Sequence, residues 1–259
     1  MSSWSRLATQ LADLPAGAAV LEVGTGGGAL FGYLLDLLDR PGASWRLVTA
    51  DCSAAACAAA RARLASHPRV AAKVQVIHAD VVEMACGGLP GGFDIVVASA
   101  LLSAVPMASR WSQDRVIAAL AGQVAVGGWL LVEDYLPLAP PGSLTVSAQA
   151  TAQDLWRLHK ALAELAGGRH YEELSPKYVA DRLCEAGLQI VECGVDERLL
   201  PRPLDLGELF EHGGGRRPEG LDPALWAALD RYRRDLVRRL GTEGAVQWSG
   251  WFRLVARKL

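Results

Sequence analysis

The sequence predicts an α/β fold: a doubly wound, mostly parallel sheet with helical lid insertions. Three observations predict it. Short apolar runs alternate with longer helical patterns from Ala18 to Leu131. The runs are continuously apolar, as in strands that helices cover on both faces. Hydrophobic residues make up 51% of the 259, enough to bury one sizeable core.

A helix is expected within residues 1–17, followed by a strand at Ala19–Val23 and a helix near Ala29–Leu38. Pro41-Gly42 separates these from a strand at Arg46–Ala50, a helix at Ala54–Ala65 and a third strand at Val74–His78. A short helix follows Asp80, then a strand at Phe93–Ala98 and a helix at Gln113–Gln123. Gly127-Gly128 reads as the break before a fifth strand, Trp129–Val132.

The rhythm then changes. Pro137, Pro140, Pro141 and Gly142 mark a loop. The next helix has Thr151 as expected N-cap, a face of Leu155, Leu158, Leu162 and Leu165, and an end at Gly167-Gly168. Ser175-Pro176 opens another helix, running to about Ala186, before a strand at Leu188–Cys193. Residues 196–244 interrupt again, with Gly213-Gly214-Gly215 and a helix opened by Asp222-Pro223. Leu225, Leu229, Tyr232, Leu236 and Leu240 form its expected stripe, and Val246–Arg257 reads as the closing strand. One domain is expected over 1–259, with 134–174 and 196–244 inserted as a substrate lid.

A formal net charge of −2 supplies no global attraction for nucleic acid or anionic lipid. Cys52, Cys57, Cys86, Cys184 and Cys193 are scattered, with no C-x-x-C pair, so reduced thiols and no metal are expected. No signal-peptide pattern and no apolar run of spanning length occur, which makes a cytoplasmic protein the expectation. A small-molecule partner fits this composition, and a homodimer is allowed by it.

The informative segment is Val20-Leu21-Glu22-Val23-Gly24-Thr25-Gly26-Gly27-Gly28, a strand, an acidic residue, a glycine loop and a helix start. Glycines let a backbone turn tightly and approach a ligand with no Cβ in the way. A G-x-G-x-x-A dinucleotide loop would fit as well. Glu22, however, stands where a dinucleotide strand is normally apolar, and a carboxylate there suits a cationic ligand, directly or through water. Asp51 ends the second strand, where two oxygens can accept both hydroxyls of a ribose. Asp80 follows the third strand, where it can accept from an adenine amino group, although capping the next helix is its alternative duty. A cationic amino acid, a ribose and an adenine together make S-adenosylmethionine.

At these residues the chain resembles the class I methyltransferases. Glu22–Gly28 is similar to the family's first motif, Asp51 to its acidic residue after the second strand, and His78-Ala79-Asp80 to its adenine segment. Phe93–Val97 looks like its fourth strand and Val126–Val132 its fifth-strand entry, while Ser175–Cys193 and Trp251–Lys258 resemble its later helix, sixth strand and closing strand, which implies a seven-stranded sheet with an antiparallel C-terminal strand. The resemblance covers roughly two-thirds of the chain. It implies an S-adenosylmethionine site at Glu22, Gly24, Thr25, Gly26, Gly28, Asp51, Cys52, Asp80, Val81 and Ala98. The implied activity is methyl transfer to a small-molecule O, N or C acceptor.

The acceptor side is less legible. Asp134 and Tyr135 follow the fifth strand at the edge where open α/β sheets bind ligands, and with Trp156 they are the substrate-binding candidates. Trp226, Trp248 and Trp251 are further aromatic candidates near the inserted segments. His159 and His170 are candidate general bases, with packing as their alternative. Arg231, Arg233, Arg234, Arg238 and Arg239 share a helix with Asp230 and Asp235, which favours a solvated face over an anion site. Rival functions are an RNA or protein methyltransferase, a nicotinamide oxidoreductase and a non-catalytic cofactor-binding scaffold. Ala98-Ser99-Ala100-Leu101 stands where family members that methylate base amines carry Asn/Asp-Pro-Pro-aromatic, which counts against that option.

Overall fold

The computed structural model describes residues 5–12, 14–85, 92–109, 111–144, 147–196, 217, 219–243 and 249–259. Cys86, Gly213–Gly215, Trp248 and the expected start of the closing strand at 246–248 lie outside them. The chain forms two compact units: Met1–Asp134 with Leu174–Gly194 and Phe252–Leu259, and Tyr135–Glu173 with Val195–Trp251. The segments read as insertions fall almost wholly in the second unit.

In chain order the first unit contains α1 (Ser5–Ala12), β1 (Ala19–Val23), α2 (Ala29–Leu38), β2 (Arg46–Asp51), α3 (Ala54–Ala65) and β3 (Val74–His78). It continues with α4 (Val81–Glu83), β4 (Phe93–Ser99), α5 (Val105–Ala108), α6 (Gln113–Gln123) and β5 (Val124–Tyr135), whose last residue begins the second unit. After α7 (Ser147–Leu165) come α8 (Pro176–Glu185), β6 (Leu188–Asp196), α9 (Pro223–Glu243) and β7 (Trp251–Lys258).

The seven strands lie in the order β3-β2-β1-β4-β5-β7-β6, mostly parallel, with the antiparallel direction confined to the C-terminal end. β1 pairs in parallel with β2 on one side and β4 on the other. The chain therefore winds outward through β2 and β3, then returns to β4, which makes the β1/β4 border the topological switch point. Ligands of such sheets bind outside the carboxyl ends of the strands there.

Burial explains the sheet. Val20, Leu21, Leu47, Ile95, Val96 and Leu130 are fully buried, between helices whose apolar faces cover them. α2 alone buries Leu30, Phe31, Leu34, Leu35, Leu37 and Leu38, at roughly 2 kcal/mol each relative to exposure.

Several boundaries differ from expectation for physical reasons. β5 starts at Val124, so Gly127 and Gly128 lie inside it. Between Phe93↔Val124 and Ile95↔Trp129 the register shifts, a bulge that absorbs the extra residues. Gly127 has φ +78, and a Cβ on Gly128 would stand 3.0 Å from the carbonyl oxygens of Phe93, Asp94 and Ala125. The glycines serve a bulge, not a break. The closing strand begins at Trp251.

In the second unit α7 starts at Ser147, so Thr151 is inside the helix and not its cap; its fully buried hydroxyl accepts from Arg239 at 2.9 Å. Ala152, Leu155, Leu158 and Leu162 pack with Leu236 and Leu240 as that unit's core. Leu165, Leu225 and Tyr232, placed on apolar faces by periodicity, are exposed instead. Asp222 caps α9, accepting the N–H groups of Ala224 and Leu225 at 2.9 Å each.

Candidate functional site

β1 delivers the chain to the glycine loop at the switch point. Gly24, Gly26 and Gly28 have φ of +80, +47 and +75, a region that residues with a Cβ disfavour. At Gly24 an added Cβ would also lie 2.8 Å from Leu101 Cδ1, so the leucine would have to shift. Above Gly26 and Gly27 the space is open, the nearest atom to an added Cβ being a carbonyl oxygen at 3.9 Å from Gly26. Gly28 is the N-cap of α2, and Arg63 on α3 donates to its carbonyl. Gly32 makes room for that guanidinium, because a Cβ there would meet it at 2.8 Å.

Glu22 does not face solvent. Only 1% exposed, its carboxyl accepts from the hydroxyls of Thr49 and Thr25 and from the N–H of Phe31 in the first turn of α2. Thr25 and Thr49 also bond to each other, so the three side chains form one buried network under the loop. Burial pushes the Glu22 carboxyl up to about 7, despite the bonds from Thr49 and Thr25 that lower it. Thr49 is opposite Glu22 in the β1–β2 register.

Asp51, also almost buried, ties two backbones together. Its Oδ2 accepts the Gly26 N–H at 2.9 Å and its Oδ1 accepts the Ser53 N–H at 2.7 Å. Each oxygen keeps a second lone pair for a hydroxyl donor. Ser53 is the side-chain cap of α3. Cys52 is exposed, its thiol 3.8 Å from the Ala108 carbonyl, and partial burial pushes that thiol above its ordinary range.

Asp80 caps α4, Oδ1 accepting from the Val82 N–H at 2.9 Å, while Oδ2 accepts from the Ser109 hydroxyl at 2.8 Å. Val81 is buried behind it. Ala98 sits near the end of β4, paired in register with Val23 and Val132. All of the expected cofactor residues thus gather at the carboxyl ends of β1–β4. They fit S-adenosylmethionine: bare backbone under open space, a two-oxygen carboxylate beside it, and a second carboxylate one strand further on.

Of the acceptor-side candidates, the second unit brings Trp156 and His170 together edge to face, ring centroids 4.8 Å apart. Asp134 is 2% exposed, and its two oxygens accept the Ser103 N–H at 3.1 Å and the Ser103 hydroxyl at 2.6 Å. Within the second unit, Tyr135 packs against Trp251 with ring centroids 4.0 Å apart and planes tilted by 38°. Trp156 Nε1 donates to Glu173 at 3.0 Å, and Lys160 pairs with the same carboxylate. His159 is buried on the inward face of α7. His170 Nδ1 accepts the Tyr171 N–H at 2.8 Å, which puts the proton of a neutral ring on Nε2. That geometry leaves the neutral imidazole no spare lone pair for a general base.

Thr49, Arg63, Ser103 and Ser109 belong to the site's architecture but were not singled out in sequence. Thr49 had a signal, a polar residue inside an apolar strand. The serines and Arg63 had none, since their partners lie 29 to 35 residues away in the chain.

Among the described residues no group of three or more His, Cys, Asp or Glu is arranged to hold a metal ion. No described helix is long and apolar enough to cross a membrane.

Residues 21–130 match the family described as a methyltransferase domain. No curated protein matches the chain by sequence. Three solved structures give the scale of the fold likeness. A Bacillus halodurans protein assigned as a methyltransferase is 16% identical, with TM-score 0.62, 100% of this chain and 99% of that one covered. An S-adenosylmethionine-dependent methyltransferase from Geobacter sulfurreducens, in complex with S-adenosylhomocysteine, is 15% identical, with TM-score 0.54 and coverage of 98% and 90%. Phosphoethanolamine N-methyltransferase 2 of Haemonchus contortus, in complex with phosphomonomethylethanolamine and S-adenosylhomocysteine, is 14% identical, with TM-score 0.52 and coverage of 96% and 51%.

Proposed function

We infer that this chain, whose residues 21–130 match a methyltransferase-domain family, transfers a methyl group from S-adenosylmethionine to a small-molecule O, N or C acceptor, with the cofactor held by the glycine loop and the strand-end carboxylates. The observation that carries the site assignment is Asp51, which accepts from Gly26 and Ser53 while keeping lone pairs beside the open backbone at Gly26-Gly27.

When bound, the cofactor supplies a methyl group on a positively charged sulfur that leaves as a neutral thioether. The protein's part is then alignment and exclusion of water. In this assignment Asp51 accepts the ribose hydroxyls and Asp80 the adenine amino group. Gly24, Thr25, Gly26 and Gly28 shape the backbone, while Cys52, Val81 and Ala98 complete the walls. Glu22 acts from beneath, holding Thr25 and the start of α2 in place. A neutral amine acceptor needs no base, whereas a hydroxyl or acidic carbon does.

A small acceptor is favoured by the formal charge of −2 and by the absence of the base-amine motif after β4. The Haemonchus protein of the same fold, crystallised with a small phosphorylated amine, supports the same choice. Residues 134–174 and 196–244 are the proposed acceptor-recognising part, with Tyr135 and Trp156 as its aromatic contacts.

Thermal denaturation with S-adenosylhomocysteine against NAD separates this function from a nicotinamide enzyme. The homocysteine compound at about 100-fold its Kd adds roughly 2.7 kcal/mol of stability. NAD adds none. Transfer of labelled methyl from S-adenosylmethionine to fractions of a metabolite extract is the expected activity. Cofactor binding with no transfer to any fraction would favour a scaffold.

A further inference from the structure

We propose that Asp134 and Ser103 are positioning residues for the glycine loop: they pin the turn after β4, and that turn seats Gly24 through Leu101. The proposal rests on the assignment of that loop as the cofactor site.

The turn is held at both ends by two consecutive residues of β5. At its start Ala100 donates its N–H to the Glu133 carbonyl at 2.8 Å. Its φ is +51, the one left-handed residue other than glycine among those described. A backbone in that region persists only where its surroundings over-determine it. At the far end Asp134 takes both the N–H and the hydroxyl of Ser103, one on each oxygen, with both residues almost wholly buried. A buried carboxylate engaged twice by one residue fixes that residue's position and orientation.

Leu101 lies between the two anchors. Its Cδ1 and Cβ stand 2.8 and 3.4 Å from where a Cβ of Gly24 would be, so the leucine occupies the space that glycine leaves. Gly24 is the first residue of the loop and is itself tethered by its N–H to the Ala50 carbonyl at 2.9 Å. The loop is therefore held from β2 by Asp51 and Ala50 and from β5 by way of Leu101. Asp134 acts through Ser103 and is not placed to need the acceptor for a partner.

The test is calorimetric titration of S-adenosylhomocysteine into the full chain and four variants, with melting temperatures measured alongside. Asp51→Ala is the control for the cofactor site. Ser103→Ala is expected to weaken binding about tenfold while the protein stays folded at the titration temperature. Leu101→Ala, at a half-buried position where misfolding is less of a danger, is expected to weaken it to a similar extent. Because both act through one contact, the double variant should be no weaker than the worse single one. Wild-type affinity in Ser103→Ala, or a double variant whose losses simply add, would overturn the proposal. A lowered melting temperature with unchanged Kd would do the same, marking the pair as stabilising only. If Asp51→Ala weakens binding and Ser103→Ala does not, the positioning role alone falls. If the folded wild type takes up no ligand, the cofactor assignment falls and the positioning role with it.

Discussion

Polar side chains do different work in the two units. At the carboxyl ends of β1–β5 they grip backbone: Asp51 holds Gly26 and Ser53, Asp80 holds Val82, and Asp134 holds Ser103. In the second unit Asp222 and Gln153 hold backbone as well, but the charged pairs on the helices grip one another. Glu173 joins Trp156 to Lys160, Arg233 and Arg234 share Asp230, and Arg238 meets Asp235. A carboxylate bonded to a loop's N–H groups sets the loop's shape, which is what a ligand reads. A side-chain pair on helices sets packing or solubility, and its loss leaves the backbone where it was.

If that contrast holds, the largest effect comes from the loop itself. Gly24→Ala meets both a positive φ and Leu101, and should cost roughly 2–4 kcal/mol in urea denaturation. Cofactor affinity should fall with it. Next is the proton on Glu22. Its folded carboxyl titrates near 7 against an ordinary 4.5, so the folded state holds the proton more tightly than the unfolded one. The contribution of this group to stability is then full below about pH 4.5 and declines as pH rises to 7, by about 3 kcal/mol in all. Glu22→Gln should flatten that decline between about pH 4.5 and 7. An equally steep decline in the variant would move its origin elsewhere.

Smaller effects belong to the second unit. Glu173→Gln removes the charge paired with Lys160 and leaves one acceptor oxygen for Trp156 and Lys160 together in a nearly buried place, so about 1–2 kcal/mol of stability should go, seen as an earlier tryptophan fluorescence transition. The Kd for S-adenosylhomocysteine should not move; if it does, the contrast between the units fails. Smallest is Asp235→Ala, where the lost partner is the exposed Arg238, and less than about 0.5 kcal/mol is expected by the same denaturation assay.

What was legible in the sequence follows the same division. Strands buried on both faces announce themselves as apolar runs, and Gly24, Gly26 and Gly28 declare a loop because few other residues suit such backbone. Gly127 and Gly128 misled, since a bulge and a turn ask for the same residue type. The burial of Glu22 was not legible, because its partners Thr49 and Thr25 look like ordinary strand and loop residues until β1 and β2 pair. Nor was the tie between Asp134 and Ser103, 31 positions apart. In the second unit periodicity found α7 and α9 but overstated their apolar faces at Leu165, Leu225 and Tyr232, because spacing shows which face a residue shares and not how far cover extends.

The most direct measurement is titration of S-adenosylhomocysteine into wild type and Asp51→Ala under one set of conditions. Saturable one-to-one uptake by the wild type, weakened at least about tenfold in the variant, is the predicted result. Uptake of equal strength by both, or none by a wild-type protein shown to be folded, would contradict it.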